Sequence, residues 1–242
     1  MSVAFLLGDT GISGTARMTM ALADALVARG EVVKIVTTGA PVTWRNSRAE
    51  WVYIDDFREF PEPAFTAADV RALGPIVDDE VFRDRIPREH EPLRVLLAGA
   101  SQNESHGVSD GYGAVAHARW FHQTLDLIRV APWAPSREEP LDAVQEFHVA
   151  LTTAEMTRLL HSCDVFIGPY RGDESMPLVA AEAMAADLAC VFMKREGDAV
   201  ALGETLIEVL GDSALRARMR ELGREAAERF RVERALEKFA RS

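Results

Sequence analysis

The hydrophobic positions fall into two series in which short apolar runs alternate with stretches of three- and four-residue periodicity. Val3 to Leu7 is an apolar run ending in "GDTGISGT", and from Arg17 the positions Met18, Leu22 and Leu26 recur every fourth residue until Arg29-Gly30. That order predicts strand, glycine-rich turn, helix and helix stop. A β-branched run, Val32 to Thr38, supplies a second strand and Trp51 to Ile54 a third, so the opening is a βαβ unit expected to cross over right-handed. Between Asp55 and Pro92 the pattern lapses into mixed charge with prolines at 61, 63, 75, 87 and 92, which reads as a linker with at most a turn near Ala67 to Leu73.

The second series begins at "LRVLLAG", Leu93 to Gly99, a strand followed by a polar loop to Gly113 and a helix expected around Ala114 to Thr124. Strands are predicted near Leu127 to Val130 and at Glu146 to Leu151; Thr152 with Glu155 then forms a capping-box pair for a helix through Leu160. "CDVFIGP" predicts a strand from Cys163 to Ile167, and "LACVFM" another. Periodic residues from Val200 to Leu210, a stripe through Leu215, Met219, Leu222, Ala226 and Phe230, and a short last helix close the chain. We expect that stripe to be core packing rather than a partner-binding face.

The fold class is therefore α/β, and 242 residues at 48% hydrophobic content suffice for one large core or two smaller lobes. A net charge of -11 disfavours a nucleic-acid backbone or an anionic bilayer as main partner, while leaving room for a local basic pocket around one phosphate group. Cys163 and Cys190 sit in or beside apolar runs, and their spacing matches neither a zinc template nor a secreted disulfide framework, so a reducing, cytoplasmic setting is expected. No apolar stretch approaches the roughly 18 residues of a spanning helix, and Met1 to Gly8 lacks a basic leader; nothing supports peripheral membrane contact.

In an open parallel sheet, ligands sit outside the carboxyl ends of the strands, which singles out the loops Gly8 to Thr15 and Pro169 to Pro177. Glycines at 8, 11 and 14 let a backbone approach a diphosphate at a helix N-terminus, although glycines serving only a tight turn would look the same. A nicotinamide site would want an acid at the end of the second strand, where this chain has Thr37-Thr38-Gly39. In the second loop, Glu174 and Glu182 lie eight positions apart around a helix that Pro177 can begin, since the first helical N-H is unpaired anyway. Both carboxylates can then face one cleft, and the small neighbours Ala180, Ala181, Ala183, Ala185 and Ala186 allow close packing, where a carboxylate needs an assigned partner.

"ESMPLVAAEAMAADLACV" resembles the E-x7-E signature of the family 4 (group 1) retaining glycosyltransferases of GT-B fold. "GISGTARMTMALADALVARGEVVKIVTTG" is similar to that family's first strand, glycine loop and helix; Gly74 to Arg83 resembles the passage into its second domain, and Gly203 to Arg241 its closing helices. Parts of the usual family sequence are missing between Asp55 and Gly74 and near Met193 to Gly197. The resemblance implies two Rossmann-like parallel-sheet domains facing a cleft: a reduced, acceptor-side domain over residues 1–86, and a nucleotide-sugar-binding domain with closing helices over 87–242.

The family's roles imply that Glu182 holds the nucleotide ribose and that Glu174, the catalytic candidate, contacts the transferring sugar. Gly11, Ser13 and Gly14, with Ser175, Met176 and Leu178 at the second helix, would surround the diphosphate. Similar enzymes place an arginine after the first strand of the second domain and a lysine before the next glycine; this chain has Ala100 and His106 there, with Arg171 as a further cation. The implied function is transfer of a sugar from a UDP- or GDP-sugar to a glycan, lipid or small-molecule acceptor with retention, without cofactor or metal. The alternatives are a noncatalytic nucleotide-sugar-binding remnant and an α/β interaction module. His117, His122, His148 and His161 have no metal-ligand spacing, His148 reading as a satisfied core residue. Ser13, Ser101 and Ser175 lack a nucleophile elbow.

Overall fold

The opening glycine-flanked segment folds as its pattern predicts. In the computed structural model, which describes residues 2–8, 10–56, 75–83, 91–121, 124–171, 176–193 and 197–240, strand β1 (Ser2–Leu7) leads into helix α1 (Gly14–Ala28) and back to β2 (Val32–Thr37), with β3 (Glu50–Tyr53) beyond. All pair in parallel in the order β1-β2-β3. Ser13 caps α1 by accepting the Ala16 N-H at 3.2 Å. The helix ends in a Schellman motif, with the amides of Gly30 and Glu31 donating to the carbonyls of Val27 and Leu26 at 2.9 and 3.2 Å. Its apolar stripe, Met20, Leu22 and Leu26, is at most 3% exposed and packs on Ile35 and on Val232, Ala235 and Leu236 of the last helix, α7 (Val232–Ala240). Each such large side chain contributes about 1.5–3 kcal/mol by leaving water.

A second unit carries the second series: β4 (Leu93–Ala98), α2 (Val108–Trp120), β5 (Leu125–Ala131), β6 (Glu146–Val149), α3 (Thr153–His161), β7 (Val165–Gly168), α4 (Leu178–Ala185), β8 (Ala189–Phe192), α5 (Ala199–Gly211) and α6 (Ser213–Ala227). Its five strands are parallel in the order β6-β5-β4-β7-β8. Leu96, Leu97, Leu127, Ile128, Phe166 and Ile167 are 0% exposed, which explains why these strands read as continuous apolar runs rather than alternating ones. The order also fixes a crevice. The chain steps outward from β4 through β5 to β6, then returns to the other side of β4 as β7, so the strand order reverses between β4 and β7.

Several details differ from expectation. The units comprise Met1–Asp79 with Phe230–Ser242, and Glu80–Arg229, so the division falls at 79/80 rather than 86/87 and α7 joins the first unit. The supposed linker is packed over 75–83: Ile76 lies in the first core, while Val81 and Phe82 are 1% and 4% exposed in the second unit. There the Val81 carbonyl meets His161 Nε2 at 3.2 Å, and the Phe82 carbonyl accepts from Arg224 at 2.6 Å. The turn expected at 67–73 lies outside the described residues. Helix α2 starts at Val108, six residues before the expected Ala114, because Gly107 rather than Gly113 supplies its N-cap. The α6 stripe is interrupted: Leu215 and Met219 pack on the core, but Leu222 is 54% exposed. The Thr152–Glu155 capping box is present with both of its hydrogen bonds. Among the described residues no helix is long and apolar enough to cross a membrane.

Candidate functional site

At the carboxyl ends of β4 and β7 two loops are stitched together. The Arg171 amide donates to the Ser105 carbonyl at 2.8 Å, and Gly107, at φ 58°, lies so close to Pro169 that a Cβ there would stand 1.7 Å from its carbonyl oxygen. Only glycine tolerates both the left-handed backbone and that approach. Between Gly99 and Gly107 the chain makes a 3-10 turn, Glu104–His106, capped by Asn103 Oδ1 on the Ser105 amide at 3.1 Å.

His106 stands where the resemblance expects a lysine, and its protonation is set by the backbone. Its Nδ1 accepts the Ala100 N-H at 2.8 Å, so the ring proton belongs on Nε2. Asn103 Nδ2 also lies 3.3 Å from Nε2. A neutral imidazole cannot accept at both nitrogens, and a backbone amide, unlike an Asn amide, cannot be turned round; the Ala100 contact therefore decides the tautomer. Arg171 is a cation already in use: its Nε and Nη2 each lie 2.7 Å from Asp110 Oδ2, on the first turn of α2.

Helix α4 runs back from this edge. Pro177 is its N-cap rather than its first helical residue, in extended backbone with φ -62° and ψ 147°, and it provides no side-chain cap. Glu182 falls on the second turn as expected and is 2% exposed on a helix whose neighbours from Ala180 to Ala185 are all buried. Met176 and Leu178 are half-buried at its start. Glu174 and Ser175, the other two candidates of this loop, lie outside the described residues. Gly11, Ser13 and Gly14 belong to the first unit, at the end of β1, where the Ser13 hydroxyl is occupied in capping α1 and Trp44 Nε1 donates to the Thr10 carbonyl at 2.9 Å.

Sequence reasoning missed a buried polar cluster under the same edge. Arg129 of β5 is 0% exposed; its Nε donates to Glu139 Oε1 at 2.8 Å, and its other nitrogens reach the carbonyls of Gly99 at 2.7 Å, Leu97 at 3.4 Å and Val130. The Phe147 ring lies 5.6 Å from its guanidinium carbon, and Tyr112 of α2 donates to the same Glu139 oxygen at 3.0 Å. Burial, followed by that hydrogen bond to Glu139, holds the Tyr112 hydroxyl well above the ordinary phenol range. The available signal was one arginine inside the apolar run "LDLIRVA".

The histidines other than His106 have local roles where they are described. His148 is not a core residue: it sits half-exposed on edge strand β6 with Nε2 3.1 Å from Glu146 Oε2, and His117 packs on the Phe121 ring. His122 lies outside the described residues. Among the described residues no group of three His, Cys, Asp or Glu is arranged to hold a metal ion.

Two parallel-sheet units with these loops at the strand ends define an α/β fold of the GT-B glycosyltransferase type. The family model for glycosyl transferases group 1 matches residues 92–223, more than half of the 242-residue chain, and the chain belongs to that family, whose reaction is sugar transfer. No functionally curated protein matches it in sequence. Among solved structures it is similar to WaaG, a glycosyltransferase involved in lipopolysaccharide biosynthesis, at 17% identity and TM-score 0.72 over 93% of this chain and 95% of that one. A glycosyltransferase from Rickettsia africae gives 11% and 0.68 over 99% and 97%. S. aureus TarM, solved with fondaparinux, α-GlcNAc-glycerol and UDP, gives 11% and 0.59 over 86% of this chain and 55% of that one. At these identities the likeness establishes the fold.

Proposed function

We propose that this chain transfers a sugar from a nucleotide-sugar donor, UDP- or GDP-linked, to a glycan, lipid or small-molecule acceptor with retention of configuration, without a metal ion and in the cytoplasm. The observation that carries the reading is Glu182: a carboxylate 2% exposed on a helix of small residues that begins at the reversal point of a parallel sheet. Ribose hydroxyls are suitable donors to such a group. Glu174 is assigned to the transferring sugar. The α4 N-terminus, the His106 Nε2-H and the Arg171 guanidinium are assigned to the diphosphate, whose departure they would favour by positioning and by dipoles already oriented before reaction. Retention follows from the acceptor attacking on the face that the diphosphate leaves, with the departing phosphate oxygen taking the acceptor's proton. The glycine loop of the first unit, Gly11 to Gly14, is assigned to the same diphosphate.

One observation favours the alternative of a nucleotide-sugar-binding protein without turnover. A neutral histidine stands where related enzymes have a lysine, and the nearby guanidinium is already paired with Asp110. The first experiment is ligand-detected binding of a panel of UDP-, GDP- and ADP-sugars to the wild type and to Glu182→Ala, followed by product analysis with candidate acceptors. Binding that disappears in the variant supports the donor site, and product formation separates enzyme from remnant. A wild type that binds none of the panel refutes both forms of the reading.

A further inference from the structure

The buried Arg129 and the edge histidine meet across a single peptide group. Arg129 Nη2 donates to the Gly99 carbonyl at 2.7 Å, and the N-H of that same peptide, belonging to Ala100, donates to His106 Nδ1 at 2.8 Å. The guanidinium, the peptide and the imidazole thus form a chain of hydrogen bonds in one direction, from Arg129 through O=C–N–H to the ring. Bonds in such a chain polarise one another, so a cation on the carbonyl side makes the amide a stronger donor on the other side. Glycine at 99 is what lets the ring lie there: at φ 130° a Cβ would stand 3.0 Å from His106 Cβ and 3.1 Å from Nδ1. The Gly99 amide in turn donates to the Val130 carbonyl at 3.1 Å, and Arg129 binds that carbonyl too, so the peptide is fixed from both ends.

From this geometry we infer that Arg129 is a positioning residue for the donor site, acting through the Gly99–Ala100 peptide to hold His106 as a neutral imidazole with its proton on Nε2. The inference rests on the proposed role of His106 toward the donor diphosphate. A second proton on Nδ1 would set two N-H groups against each other at 2.8 Å, and Arg129 stiffens the amide that would have to give way. The charged groups on the elements packed against this loop are Glu104 within it, Asp110 on α2 paired with Arg171, and Arg129 paired with Glu139. The two ion pairs are neutral as units, which leaves the directed peptide as the distinguishing influence on the ring. The consequence is a diphosphate contact made by a fixed neutral donor, indifferent to pH where an ordinary histidine would change charge.

The test is nitrogen-15 NMR of the imidazole rings in the whole chain, with His106 assigned by its loss in His106→Gln. The ring of the wild type should show the Nε2-H tautomer and unchanged shifts from pH 7.5 to 5.5, a window that spans the ordinary histidine midpoint of about 6.5. Removing Arg129 alone would leave Glu139 buried with its charge, so the variant is Arg129→Met with Glu139→Gln. In it the His106 ring should mix tautomers and titrate within the window. Arg129→Lys, which keeps a cation near the carbonyls, should stay closer to the wild type. A wild-type ring that titrates normally or carries its proton on Nδ1 overturns the inference whether or not any variant folds. A folded double variant with an unchanged ring overturns it as well.

A second arm reads the same effect in binding. The affinity for UDP-glucose, whose diphosphate diester keeps its charge over this range, should be flat with pH in the wild type. In the double variant it should rise about fivefold toward pH 5.5 as the contact becomes charge-assisted. Flat binding by a folded double variant overturns the inference while leaving the donor-site reading intact. Failure of the wild type to bind any sugar nucleotide refutes that reading, and the ring measurement still decides the state of His106.

Discussion

Replacing Gly107 by alanine tests the architecture of the candidate site through one methyl group. Two penalties act on it. The residue sits at φ 58°, a left-handed backbone that costs a non-glycine residue roughly 1–2 kcal/mol. The new Cβ would also lie 1.7 Å from the Pro169 carbonyl oxygen, an overlap that no rotamer can relieve because both atoms belong to the backbone frame. Relief requires the loop after β4 to separate from the loop after β7, breaking the Arg171 to Ser105 hydrogen bond of 2.8 Å that joins them. With about 1 kcal/mol for that bond and 1–3 for the overpacking, the total expected loss is about 3–6 kcal/mol.

Gly197 provides the control. It has φ 74°, with no atom within 4 Å of an added Cβ, so Gly197→Ala should incur only the backbone term of roughly 1–2 kcal/mol. Urea unfolding of both variants, followed by tryptophan fluorescence and circular dichroism, reads the difference, and sugar-nucleotide titration of the folded Gly107→Ala protein reads the effect on the site. We expect Gly107→Ala to be the less stable by at least about 2 kcal/mol, with donor binding weakened further than stability alone explains. Equal destabilisation of the two, or Gly107→Ala binding donor as the wild type does, would refute the claim that the two loops are in enforced contact.

Two further outcomes follow from local geometry. The Glu146 carboxyl is held down at about 2, first by its hydrogen bond to Arg94 at 2.7 Å and also by His148, against the opposing effect of burial. Because the folded value is depressed, the stabilisation is present above the unfolded value near 4.5 and is lost as pH falls toward 2. Its side chain is 41% exposed, so solvent screening limits the contribution to about 1 kcal/mol or less. Glu146→Gln should therefore lower the urea midpoint at pH 7, and the gap to the wild type should close below pH 3; a gap that persists at pH 2.5 contradicts the assignment. Thr152→Ala removes the cap whose hydroxyl accepts the Glu155 amide at 3.4 Å, and should cost about 1 kcal/mol in the same assay at pH 7. No measurable loss would mean that the reciprocal bond from the Thr152 amide to Glu155, at 2.8 Å, holds the helix end alone.

What the sequence disclosed and what it concealed divide along a physical line. Strands buried on both faces announce themselves, which is why Leu93 to Gly99 and Val32 to Thr38 are legible within a residue or two. Caps are legible for the same reason: Thr152 with Glu155 is a contact between neighbours in the chain. The start of α2 was misread because two glycines, 107 and 113, offered a stop, and only the left-handed backbone and the contact with Pro169 distinguish the first. Glu182 could be singled out since its eight-residue spacing from Glu174 is a local pattern. The engagement of Arg171 with Asp110, 61 positions away, could not, and neither could the contact of Arg129 with the Gly99 carbonyl, 30 positions away. Such pairings depend on strand order, and strand order is absent from periodicity.

The charged groups that the second unit buries are not spread evenly over its sheet. Asp164, 2% exposed just before β7, serves the amino-terminal edge: its carboxylate accepts the Arg94 amide at 3.0 Å and lies 3.8 Å from Arg220. That arrangement closes the start of two adjacent strands and is complete as a structural joint. At the opposite edge, Asp110, Arg129 and Glu139 are all buried, and their bonds converge on the loops after β4 and β7. Desolvating an ion pair seldom stabilises a fold relative to well-packed apolar residues of similar volume, whereas removing one partner costs about 3–5 kcal/mol. A buried pair is therefore poorly explained by stability and better explained by the geometry it enforces. At this edge the enforced geometry is the orientation of one peptide and one imidazole at the reversal point of the sheet, where the position of a ligand is set by the strand order itself.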